Sequence, residues 1–217
     1  MDMITIALAK GRLAENTMEL LERIGIDCAQ LKEDSRRLVF TDEKSGYRFI
    51  LVKPTDVPTY VYYGVADIGV AGKDTLMESG MPLYEMLDLG FGKCRLCVCG
   101  FPTTRERVIA SNMRVATKYP NIARDYYQAK GENVDLIKLN GSVELGPILG
   151  LSDVILDIVE SGRTLKENGL EILEVVCDIS ARVVVNRVKL KTGGAKLKQL
   201  IDDMGKALEA QKNDTDI

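Results

Sequence analysis

The chain has no histidine among its 217 residues. That absence removes Ser-His and Cys-His nucleophile systems and histidine acid–base work, so any chemistry must run on carboxylates, lysine, arginine, tyrosine, serine or threonine. Long apolar runs are also missing, and none approaches the length needed to cross a bilayer. The start, MDMITIALAK, is acidic and its apolar run is cut by Lys10, which is not the pattern of a secretory signal. An excess of either charge is lacking too. With 29 Lys and Arg against 32 Asp and Glu, interspersed to a net −3, there is no electrostatic footprint for nucleic acid. These absences exclude membrane and nucleic-acid partners and predict a cytoplasmic protein. Five cysteines, an odd number, fit a reducing compartment. Cys94, Cys97 and Cys99 lie in the alternating run KCRLCVCGF, which puts Cys97 and Cys99 on one strand face and Cys94 on the other. With no second pair and no histidine, strand packing is favoured over a zinc site.

What is present is 46% hydrophobic content, enough for a core in one domain or two small ones. The most informative stretch is 154–165, VILDIVESGRTL. Val154, Ile155, Leu156, Ile158 and Val159 have the composition of a buried parallel strand. Ser161, Gly162, Arg163 and Thr164 then form a small polar turn whose N–H groups and hydroxyls can converge on a phosphate, ahead of a helix opening at Leu165. Asp157 and Glu160 precede the turn, where carboxylates can accept hydrogen bonds from ribose hydroxyls or hold a magnesium ion carried by a substrate. A turn that merely starts the next helix accounts for the serine, glycine and threonine equally well. It does not account for Asp157, because a carboxylate inside an apolar strand is costly unless paired or used.

In chain order, Ile4, Ile6 and Leu8 alternate with Thr5, Ala7 and Ala9 in a first strand, followed by the turn Lys10-Gly11-Arg12 and an amphipathic helix over 13–24. Lys10 and Arg12 thus stand at the carboxyl end of a strand, where open α/β sheets bind ligands. Strands over 38–41 and 47–52 make a hairpin preceded by Arg36 and Arg37. Lys53-Pro54 starts a helix that ends at Gly64, and 66–76 reads as strand, Gly72 turn and new helix. A strand-rich crossing spans 87–101. A strand over 114–117, a helix over 120–130, a strand over 134–139 and a helix over 143–149 interrupted by Pro147 follow. After the 154–165 stretch come strands over 170–177 and 181–188, with Arg187, Lys189, Lys191, Lys196 and Lys198 as a basic run along a solvated strand end, and a final helix over 195–211.

The chain also repeats itself. Val57, Gly64, Ala66, Asp67 and Ile68 recur at constant offset as Val143, Gly150, Ser152, Asp153 and Val154. After a small insertion, Gly72-Lys73-Asp74-Thr75-Leu76 matches Gly162-Arg163-Thr164-Leu165. Two lobes of similar design are expected: 1–90 with 180–211 as the first, 91–179 as the second, and 212–217 as a frayed tail.

The segments ALAKGRL, DSRRL, DVPTYV, GVADIGVAGKDTL, VATKYPN, IKLNGSVELGPILGLSDVILDIVESGRTL and CDISARVVVN run in order over nearly the whole chain. Together they resemble the short-form ATP phosphoribosyltransferases, enzymes of the first step of histidine biosynthesis. The resemblance implies an α/β, two-lobed type II periplasmic-binding-protein-like fold with the active site in a central cleft. It implies transfer of the phosphoribosyl group of phosphoribosyl pyrophosphate to N1 of ATP, with Mg2+ on the substrate. By the same resemblance Glu160, Ser161, Gly162, Arg163 and Thr164 cradle the 5-phosphate and Asp157 serves the ribose. Arg12 and Arg36 stabilise the departing pyrophosphate, and Lys10, Gly11, Lys53, Gly72 and Asp74 serve ATP and its phosphates. Ser161 stands where many relatives have threonine, and Glu160 where a small polar residue is common. The short form implies no C-terminal regulatory domain and, in its place, a regulatory subunit similar to histidyl-tRNA synthetase, with this chain as a homodimer within a hetero-oligomer. A solute-binding module of the same fold and a phosphoribosyltransferase acting on a free base are the competing readings. Pyrophosphate release with ATP separates the enzyme from the binder.

Overall fold

A computed structural model describes residues 3–33, 36–106, 112–192 and 194–215. Asp34 and Ser35 of the DSRRL segment lie outside the described residues, as do Asp216 and Ile217. The chain divides into two compact units, Met1–Gly92 with Ser180–Ile217, and Lys93–Ile179.

The first unit opens with β1 (Ile4–Ala9), α1 (Arg12–Arg23), the short α2 (Ala29–Lys32) and the hairpin β2 (Val39–Asp42) and β3 (Tyr47–Val52). A 3-10 turn, Pro54–Asp56, leads into α3 (Val57–Tyr62), then β4 (Ile68–Gly72), α4 (Lys73–Ser79) and β5 (Tyr84–Asp88). The second unit carries β6 (Cys94–Gly100), a 3-10 turn at Pro102–Glu106, β7 (Met113–Thr117), α5 (Pro120–Ala129), β8 (Val134–Lys138), α6 (Leu145–Ile148), β9 (Val154–Val159), α7 (Arg163–Glu167) and β10 (Glu171–Ile179). The chain then returns to the first unit as β11 (Ala181–Val185), α8 (Arg187–Thr192) and α9 (Gly194–Thr215).

The first sheet has the order β2-β3-β1-β4-β11-β5 and the second β10-β6-β9-β7-β8. In each, three parallel strands, β3-β1-β4 or β8-β7-β9, are flanked by an antiparallel strand, β11 or β6. Apart from β2, which has no counterpart in the second sheet among the described residues, the two sheets therefore share one strand order.

Alternation along β1 decides which residues meet which helices. Ile4, Ile6 and Leu8 join the core made with α1 and α9, to which Ala14, Met18 and Leu21 and then Leu197, Leu200, Ile201 and Met204 contribute at helical spacing. Ala7 and Ala9 point the other way, into a smaller core with Val57 and Val61 of α3 and Leu76 of α4. Small residues are required there because α3 lies close: a Cβ added at Gly69 of β4 would stand 2.7 Å and 2.8 Å from methyls of Val61 and Val57. In the second unit Cys97, Cys99, Ala116, Ile155, Val159 and Leu165 form one core face, so these cysteines are packing residues. Burial pushes the Cys99 thiol up to about 12, with Cys97, Asp157 and Glu144 adding to the rise, and burial raises Cys97 as well.

Four expectations need correction. The apolar run after Ile179 is a strand only as far as Val185. The Asn186 side-chain oxygen accepts the N–H groups of Val188 and Lys189 at 2.8 and 3.1 Å and starts α8, so the basic run lies on helices rather than a strand edge. Lys189 pairs with Asp67 at 2.8 Å, and Lys196 donates to the carbonyls of Ser45 and Gly46. Gly72 makes no turn: at φ −66° and ψ 144° it is the last extended residue of β4 and caps α4 directly. Pro147 does not interrupt a long helix, because α6 begins at Leu145 and places the proline in its first turn, where no intrahelical N–H is lost. Finally, α9 continues through Thr215, so residues 212–215 are helical where a frayed end is expected.

Candidate active site

Residues 160–164, expected to cradle a phosphate, stand at the carboxyl edge of the second sheet. From β7 the chain crosses through α5 to β8 on one side, then returns through α6 to β9 on the other. Crossovers that part this way leave a crevice between the loops after β7 and β9, the usual ligand position in open α/β sheets. Its β9 side holds a cavity of about 250 Å³ lined by Glu144, Ile155, Asp157, Glu160, Ser161, Gly162, Arg163, Thr164 and Leu165, with Ile158 and Val159. Asp157 lies opposite Cys97 in the β6–β9 ladder, on the apolar face with Ile155 and Val159. It is only half-buried, since its end of the face opens into this cavity. The carboxylate is thus placed where a ligand can use it.

The loop itself is built for close approach. Gly162 has φ 73°, a left-handed conformation that turns the chain from β9 into α7. The Ser161 hydroxyl accepts the Arg163 N–H at 3.3 Å, and the first helical bond runs from Lys166 N–H to the Gly162 carbonyl at 3.1 Å. The N–H groups of Thr164 and Leu165 therefore have no acceptor within the helix. Ser161, Arg163 and Thr164 are exposed, and Arg163 is held by Glu167 at 2.8 Å, one turn along. Glu160 is exposed at the lip of the cavity.

The remaining candidates collect at the carboxyl edge of the first sheet. Lys10 follows β1, Lys53 follows β3, and Ala9 pairs with Val52, so the two lysines leave neighbouring parallel strands side by side. Both are exposed. Gly11, at φ 99°, caps α1, and Arg12 is the helix's first residue. Gly72 and Asp74 end β4 and open α4 on the other side of β1. Arg36 precedes β2, which runs antiparallel to β3 and so begins at this same edge; Leu51 N–H donates to the Leu38 carbonyl at 2.9 Å. The strand order thus lines up Arg36, Lys53, Lys10 with Arg12, and Gly72 with Asp74. Together they form a cationic edge suited to polyphosphate.

The family model for ATP phosphoribosyltransferase matches residues 53–206. The ATP phosphoribosyltransferase of Lachnospira eligens is 57% identical over 211 residues, covering 96% of this chain and 98% of that protein. The chain belongs to the ATP phosphoribosyltransferase family. It is an enzyme of pentosyl transfer, acting in the first step of histidine biosynthesis. The Caldanaerobacter subterraneus ATP phosphoribosyltransferase is 52% identical over 93% of this chain and 95% of its own length. Among solved structures, a chain of the ATP phosphoribosyl transferase (HisG:HisZ) complex from Thermotoga maritima superposes with a TM-score of 0.83 at 38% identity, covering 96% of this chain and 100% of that one. The Escherichia coli aliphatic sulphonate binding protein SsuA matches at TM-score 0.57 and 13% identity, covering 100% of this chain and 76% of its own, which shows the periplasmic-binding-protein-like fold.

Two features of the carboxyl edge of the second sheet are not singled out by the sequence. Glu144 lines the cavity as a third carboxylate with Asp157 and Glu160. Lys118 stands exposed directly after β7, the strand beside β9. The signal for Lys118 was available, since it ends a strand as Lys10 does. Glu144 had none, because the sequence does not tell that the start of α6 comes back to the end of β9.

Proposed function

We propose that this protein transfers the 5-phosphoribosyl group of phosphoribosyl pyrophosphate to N1 of the adenine ring of ATP, releasing pyrophosphate. The observation that carries the reading is the cavity at the carboxyl end of β9, where a polar loop adjoins a carboxylate on an otherwise apolar strand face. The 5-phosphate sits in the loop Glu160 to Thr164, held by N–H groups and the Ser161 and Thr164 hydroxyls. Asp157 accepts hydrogen bonds from the ribose. The N1 lone pair forms the new bond to C1 as the C1–oxygen bond breaks and its electrons leave with pyrophosphate. Positive charge develops on the ribose and negative charge grows on the leaving group, so Arg12 and Arg36 act on the pyrophosphate, while Lys10, Gly11, Lys53, Gly72 and Asp74 serve the phosphates of ATP. A ring nitrogen with a free lone pair needs no histidine to activate it.

Mg2+ fits this site as an ion carried by the substrate. Among the described residues no group of three or more Cys, His, Asp or Glu could cage a metal. The cavity instead offers Asp157 and Glu144, hard oxygen donors of the kind that hold Mg2+ together with substrate phosphates. When bound, the ion neutralises pyrophosphate charge. The Thermotoga maritima complex of HisG with HisZ supports a HisZ-like regulatory subunit for this chain. The homodimer of the chain inside that hetero-oligomer is part of the same proposal. Five free cysteines, and the lack among the described residues of any helix long and apolar enough to cross a membrane, support work in the cytoplasm.

The test is ATP-dependent pyrophosphate release from phosphoribosyl pyrophosphate, followed by the adduct's ultraviolet absorbance, with the chain alone and with the regulatory subunit. Turnover that requires Mg2+ and rises with the subunit is expected. Absence of turnover in both, with tight binding of another small molecule, would turn the reading to a solute-binding protein.

A further inference from the structure

One buried hydroxyl links the strand ends of β7 and β9 beside the crevice. Thr117, the last residue of β7, is fully buried. Its Oγ1 donates to the Leu156 carbonyl on β9 at 2.7 Å and accepts the Tyr119 N–H at 2.8 Å. Leu156 immediately precedes Asp157, and Tyr119 immediately follows Lys118. A single side chain therefore ties the backbone that carries the cavity carboxylate to the turn that carries Lys118.

The repeat shows that packing alone does not call for a hydroxyl here. Thr117 pairs with Leu156 and Lys138 in its sheet, and the residue in the matching register of the first sheet is Leu8, which pairs with Val70 and Leu51. There the N–H two residues on, that of Lys10, bonds the Val52 carbonyl of the neighbouring strand at 3.0 Å and β1 runs on to Ala9. In the second unit the equivalent N–H, that of Tyr119, turns to the Thr117 hydroxyl instead, and β7 stops at Thr117. A leucine serves the same place in one half. In the phosphate-loop half, a hydroxyl with both bonding capacities used redirects the chain after the strand.

We infer that Thr117 is a positioning residue for phosphoribosyl transfer: its hydroxyl sets Asp157 and the Lys118 turn relative to each other beside the crevice. The inference rests on the proposed reading of that crevice as the phosphoribosyl site. Thr117→Val keeps the shape and removes the hydroxyl, whereas Thr117→Ser keeps the hydroxyl and removes a methyl. In the full chain with its regulatory subunit, the valine variant should lose roughly 10- to 100-fold in kcat and bind phosphoribosyl pyrophosphate less tightly, as misplacement of reacting groups by about an ångström does. Its KM for ATP should stay near the wild-type value. The serine variant should recover kcat to within about threefold, because the bonds rather than the methyl set the geometry.

A valine variant with lowered melting temperature but wild-type kcat per folded molecule would make the hydroxyl merely structural and overturn the inference. Should valine prevent folding, Thr117→Cys gives the decision: the thiol is a poorer donor with a longer reach, so kcat below that of the serine variant is expected, and kcat equal to it overturns the inference. A wild-type chain that releases no pyrophosphate would overturn the reading of the site and this inference with it. Normal wild-type turnover matched by the valine variant overturns the inference alone.

Discussion

Asp67 and Asp153 hold the same place in their two sheets. Asp67 takes the Thr5 N–H of the neighbouring parallel strand on its carboxylate at 2.8 Å and returns its own N–H to the Thr5 carbonyl at 2.9 Å. Asp153 does the same with Arg114, at 2.8 and 2.9 Å. The second carboxylate oxygen meets a cation in each case, Lys189 at 2.8 Å or the Arg114 guanidinium at 3.0 Å. The approach is repeated as well: Gly64 and Gly150 turn at φ 73° and 72°, and Ala66 and Ser152 donate to the carbonyls of Tyr60 and Gly146. The shared residues are thus the ones that hold the entry of β4 and β9 beside β1 and β7.

The two carboxylates differ in burial, and stability should follow. The side chain of Asp67 is 12% exposed and that of Asp153 42% exposed. Asp67→Ala strands a buried N–H and leaves Lys189 without its carboxylate, which should cost about 2–3 kcal/mol of unfolding free energy. Asp153→Ala frees groups that water can reach and should cost about 1 kcal/mol. Urea titrations of the two variants check this; an equal or larger loss at Asp153 would refute it.

Much of this was legible in the sequence because the strands announce themselves. Ile4, Ile6 and Leu8 alternate, and β9 is a β-branched run that ends at a polar turn. The repeat was legible because turn and strand-entry chemistry demands particular residues: glycine for a positive φ, aspartate to bond a neighbouring strand. What failed was local arbitration. VVVNRV continues apolar past Val185, and only the cap made by Asn186 says that a helix has begun. The alignment of Arg36, Lys53, Lys10 and Gly72 on one edge needed the strand order β2-β3-β1-β4, which no local pattern encodes. Thr117 reads as an ordinary strand residue until its two bonds are seen.

The buried thiols should make the fold alkali-sensitive. Burial, reinforced by Glu22, pushes Cys28 up from its ordinary 9.0 to about 12, and Cys99 rises to about 12 in the same way. Each thiol holds its proton more tightly in the folded chain than in the unfolded one. The stability this represents is complete below the unfolded value and is lost as pH rises from about 9 toward 12. The urea midpoint of the wild type should therefore fall more steeply between about pH 9 and pH 11 than that of a Cys28→Ala, Cys99→Ala double variant. Parallel curves would show that the thiols do not carry the effect.

Gly162→Val should separate binding from folding. An added Cβ meets nothing nearer than a Val159 methyl at 3.7 Å, so space is not the obstacle. The obstacle is the φ of 73°, which a β-branched residue cannot hold at a cost below about 1–2 kcal/mol. The loop should relax to another conformation and phosphoribosyl pyrophosphate binding, read by calorimetry, should vanish, with the far-ultraviolet circular dichroism unchanged. Gly162→Asn, which tolerates the left-handed region, should keep part of the binding. Wild-type affinity in the valine variant would place the phosphate cradle elsewhere.

Arg12 and Arg36 share the cationic edge of the first sheet, but their expected contribution is to the transition state. Charge on pyrophosphate grows as its bond to the ribose breaks, so a guanidinium that meets it gains more in the transition state than in the bound substrate. Arg12→Ala and Arg36→Ala should each lower kcat by roughly 10- to 1000-fold, while the dissociation constant of phosphoribosyl pyrophosphate changes by less than about tenfold. Lysine at either position keeps the charge and loses the planar fork, and should recover only part of the rate. Single-turnover kinetics separate the two quantities. A loss confined to affinity, with kcat intact, would make both arginines ground-state binders and remove them from the leaving-group role.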